Sequence, residues 1–236
     1  MINNTKYIAH RGLSGLAPEN SSEAFTLAGI HQYYGTECDI HVTKDGEFVV
    51  FHDSSLERMT GVKGLIKELT ASEIRQLSLI SGKGIKNYPP VLIPFLSEYL
   101  DICLKYNMVP VIEIKSVRSL NDLNRLLQLL NAKSLLYKAQ IISFNLEYLI
   151  YLRNKDPKLV IFYLVDVVNN AALNLCKTYF MGINANCQKL TKKQIINCHS
   201  NNILVNTYTV DNLELAKYLS DAGIDFITTN ILKDNH

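Results

Sequence analysis

The sequence predicts an α/β protein: a closed (β/α)8 TIM barrel with a β-hairpin extension and a lid-like insertion after strand two. Three observations carry this reading. Short apolar runs alternate with helix-period segments along most of the chain, the mark of βαβ units around a parallel sheet. Eight such units fit within 236 residues, an ordinary length for one barrel. No GxGxxG follows the first strand, which removes the support for an open dinucleotide-binding sheet.

Strand one is read at Tyr7–His10, followed by a helix over Ser22–Tyr33 and strand two at Thr36–Val42. The run Glu47–His52 breaks the alternation, because Thr43-Lys44-Asp45-Gly46 is too short for a parallel crossover. Asp-Gly between two β-rich runs signals a hairpin. With Asp45-Gly46 as a two-residue loop, Lys44 faces Glu47 and Asp39 faces His52. The hairpin then returns His52 to the level of Glu37 and Asp39. Roughly from Ser54 to Pro94 runs a long Gly- and Pro-containing connection, with one short helix start at Leu69–Glu73. Connections of this length are usually functional. With too few apolar residues for a core of its own, it reads as an insertion over the barrel mouth within one domain, 1–236. Helices at Phe95–Tyr106, Leu120–Leu130 and Leu213–Ala222 then alternate with further strands, Gly223 ending the last helix. Those strands are Val109–Lys115, Gln140–Phe144, Leu159–Val165, Phe180–Asn184, Ile203–Thr207 and Asp225–Thr228.

Composition narrows the function. At 47% hydrophobic and 19% charged, the chain is neither disordered nor repetitive. A net charge of +2 gives no case for a nucleic-acid partner, so affinity for anions must be local. Cys38, Cys103, Cys176, Cys187 and Cys198 are scattered without CxxC spacing. That argues against a disulfide scaffold or a structural zinc site and for a reducing, cytoplasmic setting. Met1–Lys6 leaves no room for a signal peptide, and no apolar run approaches the ~18 residues of a membrane span. No stable membrane insertion is expected. Oligomeric state stays open.

The candidate chemistry gathers at strand ends. Glu37 and Asp39 share one strand face, about 6.6 Å apart along the chain. Two such carboxylates repel unless a cation or proton lies between them, and hard oxygen donors suit Mg²⁺ or Ca²⁺. Taken alone, the pair could equally be two harmless surface acids. Glu113 and Lys115 repeat the spacing after the apolar Val109–Ile112, and an internal ion pair between them is the plainer alternative. His10 and Arg11 end strand one. The imidazole can act as acid or base, the guanidinium offers a fork to phosphate oxygens, and Gly12 permits close backbone approach. A capping role is the alternative for this triplet, and an ordinary turn for His52-Asp53. These residues nonetheless converge on the C-terminal ends of the first three barrel strands, where barrel enzymes do their chemistry. Two imidazoles beside a divalent cation suit phosphodiester cleavage, one taking a proton from the attacking hydroxyl and one giving a proton to the leaving alkoxide.

The motifs resemble those of the glycerophosphodiester phosphodiesterase family. They are His10-Arg11-Gly12, Ala17–Ser21, Glu37–Gly46, Val49–Asp53, Glu113-Ile114-Lys115, Ser143-Phe144, Val205–Val210 and Ala222–Asn230, in family order along nearly the whole chain. The resemblance implies a divalent metal, Mg²⁺ or Ca²⁺, held by Glu37, Asp39 and Glu113. It implies acid–base catalysis by His10 and His52 and phosphate contacts from Arg11 and Lys115, with Glu19 and Asn20 supporting the mouth. The implied reaction converts glycerophosphodiesters, small-molecule substrates, to glycerol 3-phosphate and an alcohol, with a cyclic phosphate as a conceivable intermediate. Tyr208 stands where many members carry Trp and keeps an aromatic wall, to which Phe144 could add. Asn230 stands where they carry Asp and removes a charge, with no consequence derivable from sequence. His41 reads as hairpin surface, and His31, His199 and His236 receive no role. A phospholipase D-like or lysophospholipase D activity on longer lipids is the competing enzyme reading. It calls for an exposed apolar rim, for which Leu65-Ile66, Leu79-Ile80 and Val91-Leu92-Ile93 are candidates. A non-enzymatic phosphodiester-binding barrel is disfavoured by the complete set of acids and histidines.

Overall fold

The computed structural model describes residues 5–233. In chain order the elements are β1 (Lys6–Ala9), α1 (Ser22–Ile30), β2 (Gly35–Val42), β3 (Phe48–Val50), α2 (Glu57–Thr60), α3 (Ala71–Arg75), β4 (Ser78–Leu79) and β5 (Val91–Leu92). They continue as α4 (Leu96–Lys105), β6 (Val109–Ile114), α5 (Leu120–Ala132), β7 (Gln140–Ser143), α6 (Leu146–Lys155), β8 (Val160–Val165) and α7 (Asn170–Thr178). The last are β9 (Gly182–Asn186), α8 (Lys192–His199), β10 (Val205–Tyr208), α9 (Leu213–Asp221) and β11 (Phe226–Thr229).

Parallel pairing runs β1-β11-β10-β9-β8-β7-β6-β2, and β1 also pairs β2, which closes an eight-stranded barrel. Strand alternation splits the side chains into two sets. Cys38, Ile40, Ile112, Ile114, Ile141, Ile161 and Ile183 pack outward under the helices in the main core. Ile8, Val111, Ile142, Phe162, Leu164 and Phe226 form a separate cluster that fills the barrel itself. The same alternation directs Glu37, Asp39 and Glu113 inward, with Glu37 beside Val111 and Asp39 beside Glu113 in register. Apolar residues therefore plug the lumen while acids occupy its C-terminal end.

Two expectations need correction. The hairpin register differs by one residue: Ile40 pairs Val50, His41 pairs Val49 and Val42 pairs Phe48. Asp39 thus lies opposite Phe51, whose amide donates to the Asp39 carbonyl at 2.9 Å. The loop is Lys44-Asp45-Gly46, because Thr43 Oγ1 takes the Glu47 amide at 2.9 Å and donates to Asp45 Oδ1 at 2.6 Å. Gly46 absorbs the extra residue at φ 103°, the usual three-residue hairpin solution. The insertion, secondly, does build an apolar cluster. Leu56, Met59, Ile66, Ile74, Leu79, Val91 and Ile93 pack on Val49 and Phe51 of the hairpin. Each is weak alone, but the outer hairpin face supplies the wall that a count within the insertion omits. Short α3 starts at Thr70 with a capping box to Glu73, close to the expected helix start.

Candidate active site

β1 ends at the mouth in a strained turn. Arg11 adopts φ 53° and Gly12 φ 76°, left-handed values uncommon for a residue with a side chain. At Gly12 a Cβ would lie 2.6 Å from the Ala24 backbone, so the glycine serves packing against α1. The turn presents the Arg11 amide to Glu37 Oε2 at 2.8 Å.

Around Asp39 the site is tightly organised. Asn20, also left-handed at φ 54°, donates to Asp39 Oδ2 at 2.8 Å and accepts from the Asp39 amide at 3.2 Å. Arg11 Nε lies 3.3 Å and Lys115 Nζ 3.6 Å from the Asp39 carboxylate. Burial raises the Asp39 pKa, but Arg11, Lys115, His52 and the Asn20 hydrogen bond outweigh it and hold the carboxyl below its usual range. Asn20 is buried, 3% exposed. Asn20→Ala should therefore cost about 1–3 kcal/mol, the penalty for stranding buried polar groups. A lowered urea midpoint at unchanged m-value would show it; an unchanged midpoint would refute it.

Glu37 and Glu113 behave oppositely. Burial, then the charges of Asp39 and Glu113, push Glu37 well above the usual carboxylate range. Burial and Asp39 push Glu113 up to about 7, although Lys115 Nζ sits 2.8 Å away and opposes the shift. The Glu113–Lys115 ion pair thus exists alongside the acidic cluster. One oxygen from each of Glu37, Asp39 and Glu113 lies within 4.8 Å of the others. Glu37 Oε1 is buried without a hydrogen-bond partner, a costly state that a coordinated cation would relieve. The donor set is all hard oxygen and fits Mg²⁺ or Ca²⁺.

The two histidines flank this cluster with different partners. His52 Nδ1 lies 2.7 Å from Asp53 Oδ1, and Asp53 Oδ2 accepts from Arg58 Nε at 2.5 Å. Arg58 also donates to Glu19 Oε1 at 2.7 Å, and Glu19 accepts from Arg11 Nη1 at 3.0 Å. α2 of the insertion thereby ties the two strand-end loops together. His10 Nδ1 meets Asn230 Oδ1 at 2.8 Å, while burial and the Arg11 charge push its pKa down to about 4. His41 is buried, contrary to the surface expectation: its ring bridges Ser116 Oγ at 2.9 Å and the His52 carbonyl at 3.0 Å. His199 pairs with Asp225 at 2.8 Å, away from the mouth; His236 lies outside the described residues.

Phe144, exposed at the end of β7, meets Tyr208 edge to face at 6.2 Å. Of the apolar rim that longer lipids would need, Ile66, Leu79, Val91 and Ile93 are buried in the insertion cluster, leaving Ile80 and Leu92 exposed. Sequence reasoning missed Arg58, His41 and Asp211. Arg58 reaches Glu19 across 39 residues, His41 reaches Ser116 across 75 and Asp211 reaches Asn230 across 19, contacts that no local spacing announces.

A barrel whose mouth joins a buried carboxylate trio, two oriented imidazoles and two cations is the architecture of a hydrolase acting on phosphate esters. Residues 10–233 match the model of the glycerophosphoryl diester phosphodiesterase family. The chain belongs to that family and is a phosphoric diester hydrolase. It is 30% identical to a glycerophosphodiester phosphodiesterase of Bacillus subtilis, over 94% of this chain and 82% of the relative. A glycerophosphodiester phosphodiesterase of Caldanaerobacter subterraneus is 29% identical, over 96% of this chain and 94% of the relative. Among solved structures, a phosphodiesterase of Oleispira antarctica in complex with the product sn-glycerol-3-phosphate superposes with a TM-score of 0.88. It is 26% identical and the match covers 95% of this chain and 92% of that one. Among the described residues no helix is long and apolar enough to cross a membrane.

Proposed function

We propose that this single barrel hydrolyses glycerophosphodiesters to glycerol 3-phosphate and an alcohol, with His10 and His52 as its acid–base pair. The observation that carries the reading is the meeting of two oriented imidazoles with a carboxylate trio at one barrel mouth. Glu37, Asp39 and Glu113 would hold a divalent metal. Bound there, the ion supplies positive charge to phosphoryl oxygens. Arg11 and Lys115 add donors to the same oxygens. Phe144 and Tyr208 form an apolar wall for the glycerol side. Glu19 and Asn20 brace Arg11 and Asp39. In this reading the free glycerol hydroxyl attacks first and displaces the alcohol, giving a cyclic phosphate that water then opens to glycerol 3-phosphate.

The test is release of glycerol 3-phosphate from glycerophosphocholine, glycerophosphoethanolamine and glycerophosphoglycerol, after chelation and after adding back Mg²⁺ or Ca²⁺. Activity should vanish on chelation and return with one of the ions. Undiminished activity in chelator, or no release under any condition, overturns the reading. A substrate lacking the attacking glycerol hydroxyl should lose most of its rate if the cyclic route operates.

The same acids predict a proton count. With Glu37 held well above the usual carboxylate range and Glu113 pushed up to about 7, these acids retain protons that a cation must displace. Metal binding should release protons near pH ~6.5 and tighten as pH rises. Calorimetry in two buffers of different ionisation enthalpy would show this; heats independent of buffer would contradict it.

A further inference from the structure

The contact between His10 and Asn230 decides which ring nitrogen carries the proton. Asn230 Nδ2 lies 2.6 Å from Asp211 Oδ2. An ionised carboxylate only accepts, so the amide nitrogen must face Asp211 and the amide oxygen must face His10. Ser14 Oγ lies 2.8 Å from both Asn230 Oδ1 and the His10 carbonyl oxygen, and its single hydrogen serves one of these acceptors at a time. Asp211 is fixed in turn by Thr229 Oγ1 at 2.9 Å and the Asn230 amide at 2.7 Å. A carbonyl oxygen cannot donate, so His10 Nδ1 carries the hydrogen and Nε2 keeps its lone pair.

Resting on the phosphodiesterase reading above, we propose that Asp211 and Asn230 are positioning residues that hold His10 in its Nδ1–H tautomer, leaving Nε2 free to take the proton of the attacking hydroxyl. The contrast between the two histidines follows from their partners. His52 Nδ1 faces a charged acceptor, the Asp53 carboxylate, at 2.7 Å. His10 faces a neutral amide. Of the charged groups around His10, Arg11 disfavours the cation while Asp39 and Glu19 favour it. In the reaction His10 Nε2 takes the proton of the attacking hydroxyl as its oxygen bonds to phosphorus. His52 Nε2 gives its proton to the alkoxide as the other P–O bond breaks. The arrangement also accounts for asparagine at position 230, since a carboxylate there would face the Asp211 carboxylate.

Histidine ¹H–¹⁵N spectra test the tautomer without turnover. In wild type, His10 should be protonated at Nδ1 and bare at Nε2. Asp211→Ala frees the Asn230 amide to turn, so the His10 tautomers should mix and kcat should fall about tenfold or more, as a wrong tautomer does elsewhere. Asn230→Asp alone should also lose activity, through carboxylate repulsion. The exchanged pair D211N/N230D restores the hydrogen bonds with the charge now on His10. It should recover activity and move the acidic limb of the kcat/KM profile up by about one pH unit. A wild-type His10 protonated at Nε2, or an exchanged pair with the wild-type acidic limb, overturns the proposal. Should Asp211→Ala fail to fold, the isosteric exchange still decides. Absence of glycerophosphodiester turnover in wild type would sink the functional reading instead and leave the spectrum to report the tautomer.

Discussion

His52→Gln should lower kcat on glycerophosphocholine by about 10²–10⁴-fold, the usual contribution of a general acid or base. KM should change little, because nothing assigns His52 a share in ground-state phosphate binding, which falls to Arg11 and Lys115. The loss should depend on the leaving group. An alkoxide leaves poorly without a proton, whereas an acidic phenol leaves without one. A nitrophenyl glycerophosphodiester should therefore be spared most of the loss in His52→Gln, and not in His10→Gln, where the base is missing whatever leaves. Equal losses on both substrates in both variants would contradict the division of labour. Asp53→Asn offers a graded version. It keeps an acceptor near His52 Nδ1, now 2.7 Å from Asp53 Oδ1, but loses the charge that Arg58 Nε meets at 2.5 Å, so kcat should fall by less than in His52→Gln.

How much of this was legible beforehand depended on how local each determinant is. Buried parallel strands read as continuous apolar runs, so Val109–Ile114 and Val160–Val165 declare themselves. The acids stand out against those runs, because Glu37, Asp39 and Glu113 interrupt otherwise apolar faces. The hairpin register failed because it turns on one side-chain contact, Thr43 with Asp45 and Glu47, that Asp-Gly alone does not specify. The insertion's packing failed because its wall, Val49 and Phe51, belongs to the neighbouring element. The supports of the histidines were out of reach for a further reason. Asn230 meets His10 only because β11 closes on β1, with Thr229 beside Ala9 in register. Asp211 reaches Asn230 only because β10 and β11 are adjacent. Residue types at a strand end can be read from sequence, but which loops meet is a property of barrel closure.

Glu37→Gln should abolish turnover and yet stabilise the metal-free protein. The carboxylate is fully desolvated, one of its oxygens is unpartnered, and Asp39 and Glu113 stand beside it. Its folded pKa is raised above the unfolded value. The sign of the linkage follows: the protonated form is the one the fold accepts, so its stabilising contribution is complete below the unfolded pKa of about 4.3 and is lost as pH rises through the folded pKa. Glutamine keeps the shape, and its carbonyl oxygen still accepts from the Arg11 amide, now bonded to Glu37 Oε2 at 2.8 Å. It has no charge to desolvate. In chelator at pH ~8 the variant should melt about 2–4 °C higher than wild type, the shift expected for roughly 1 kcal/mol in a chain of this size. The difference should shrink as pH falls toward ~4. Divalent cation should reverse the order, since wild type gains the binding energy and the variant, lacking one anionic ligand, gains little. A thermal melt series with and without metal at several pH values reads all three effects. If Glu37→Gln were destabilising in chelator across the whole range, or stabilised by metal as much as wild type, Glu37 would be a structural acid and the metal would have to lie elsewhere.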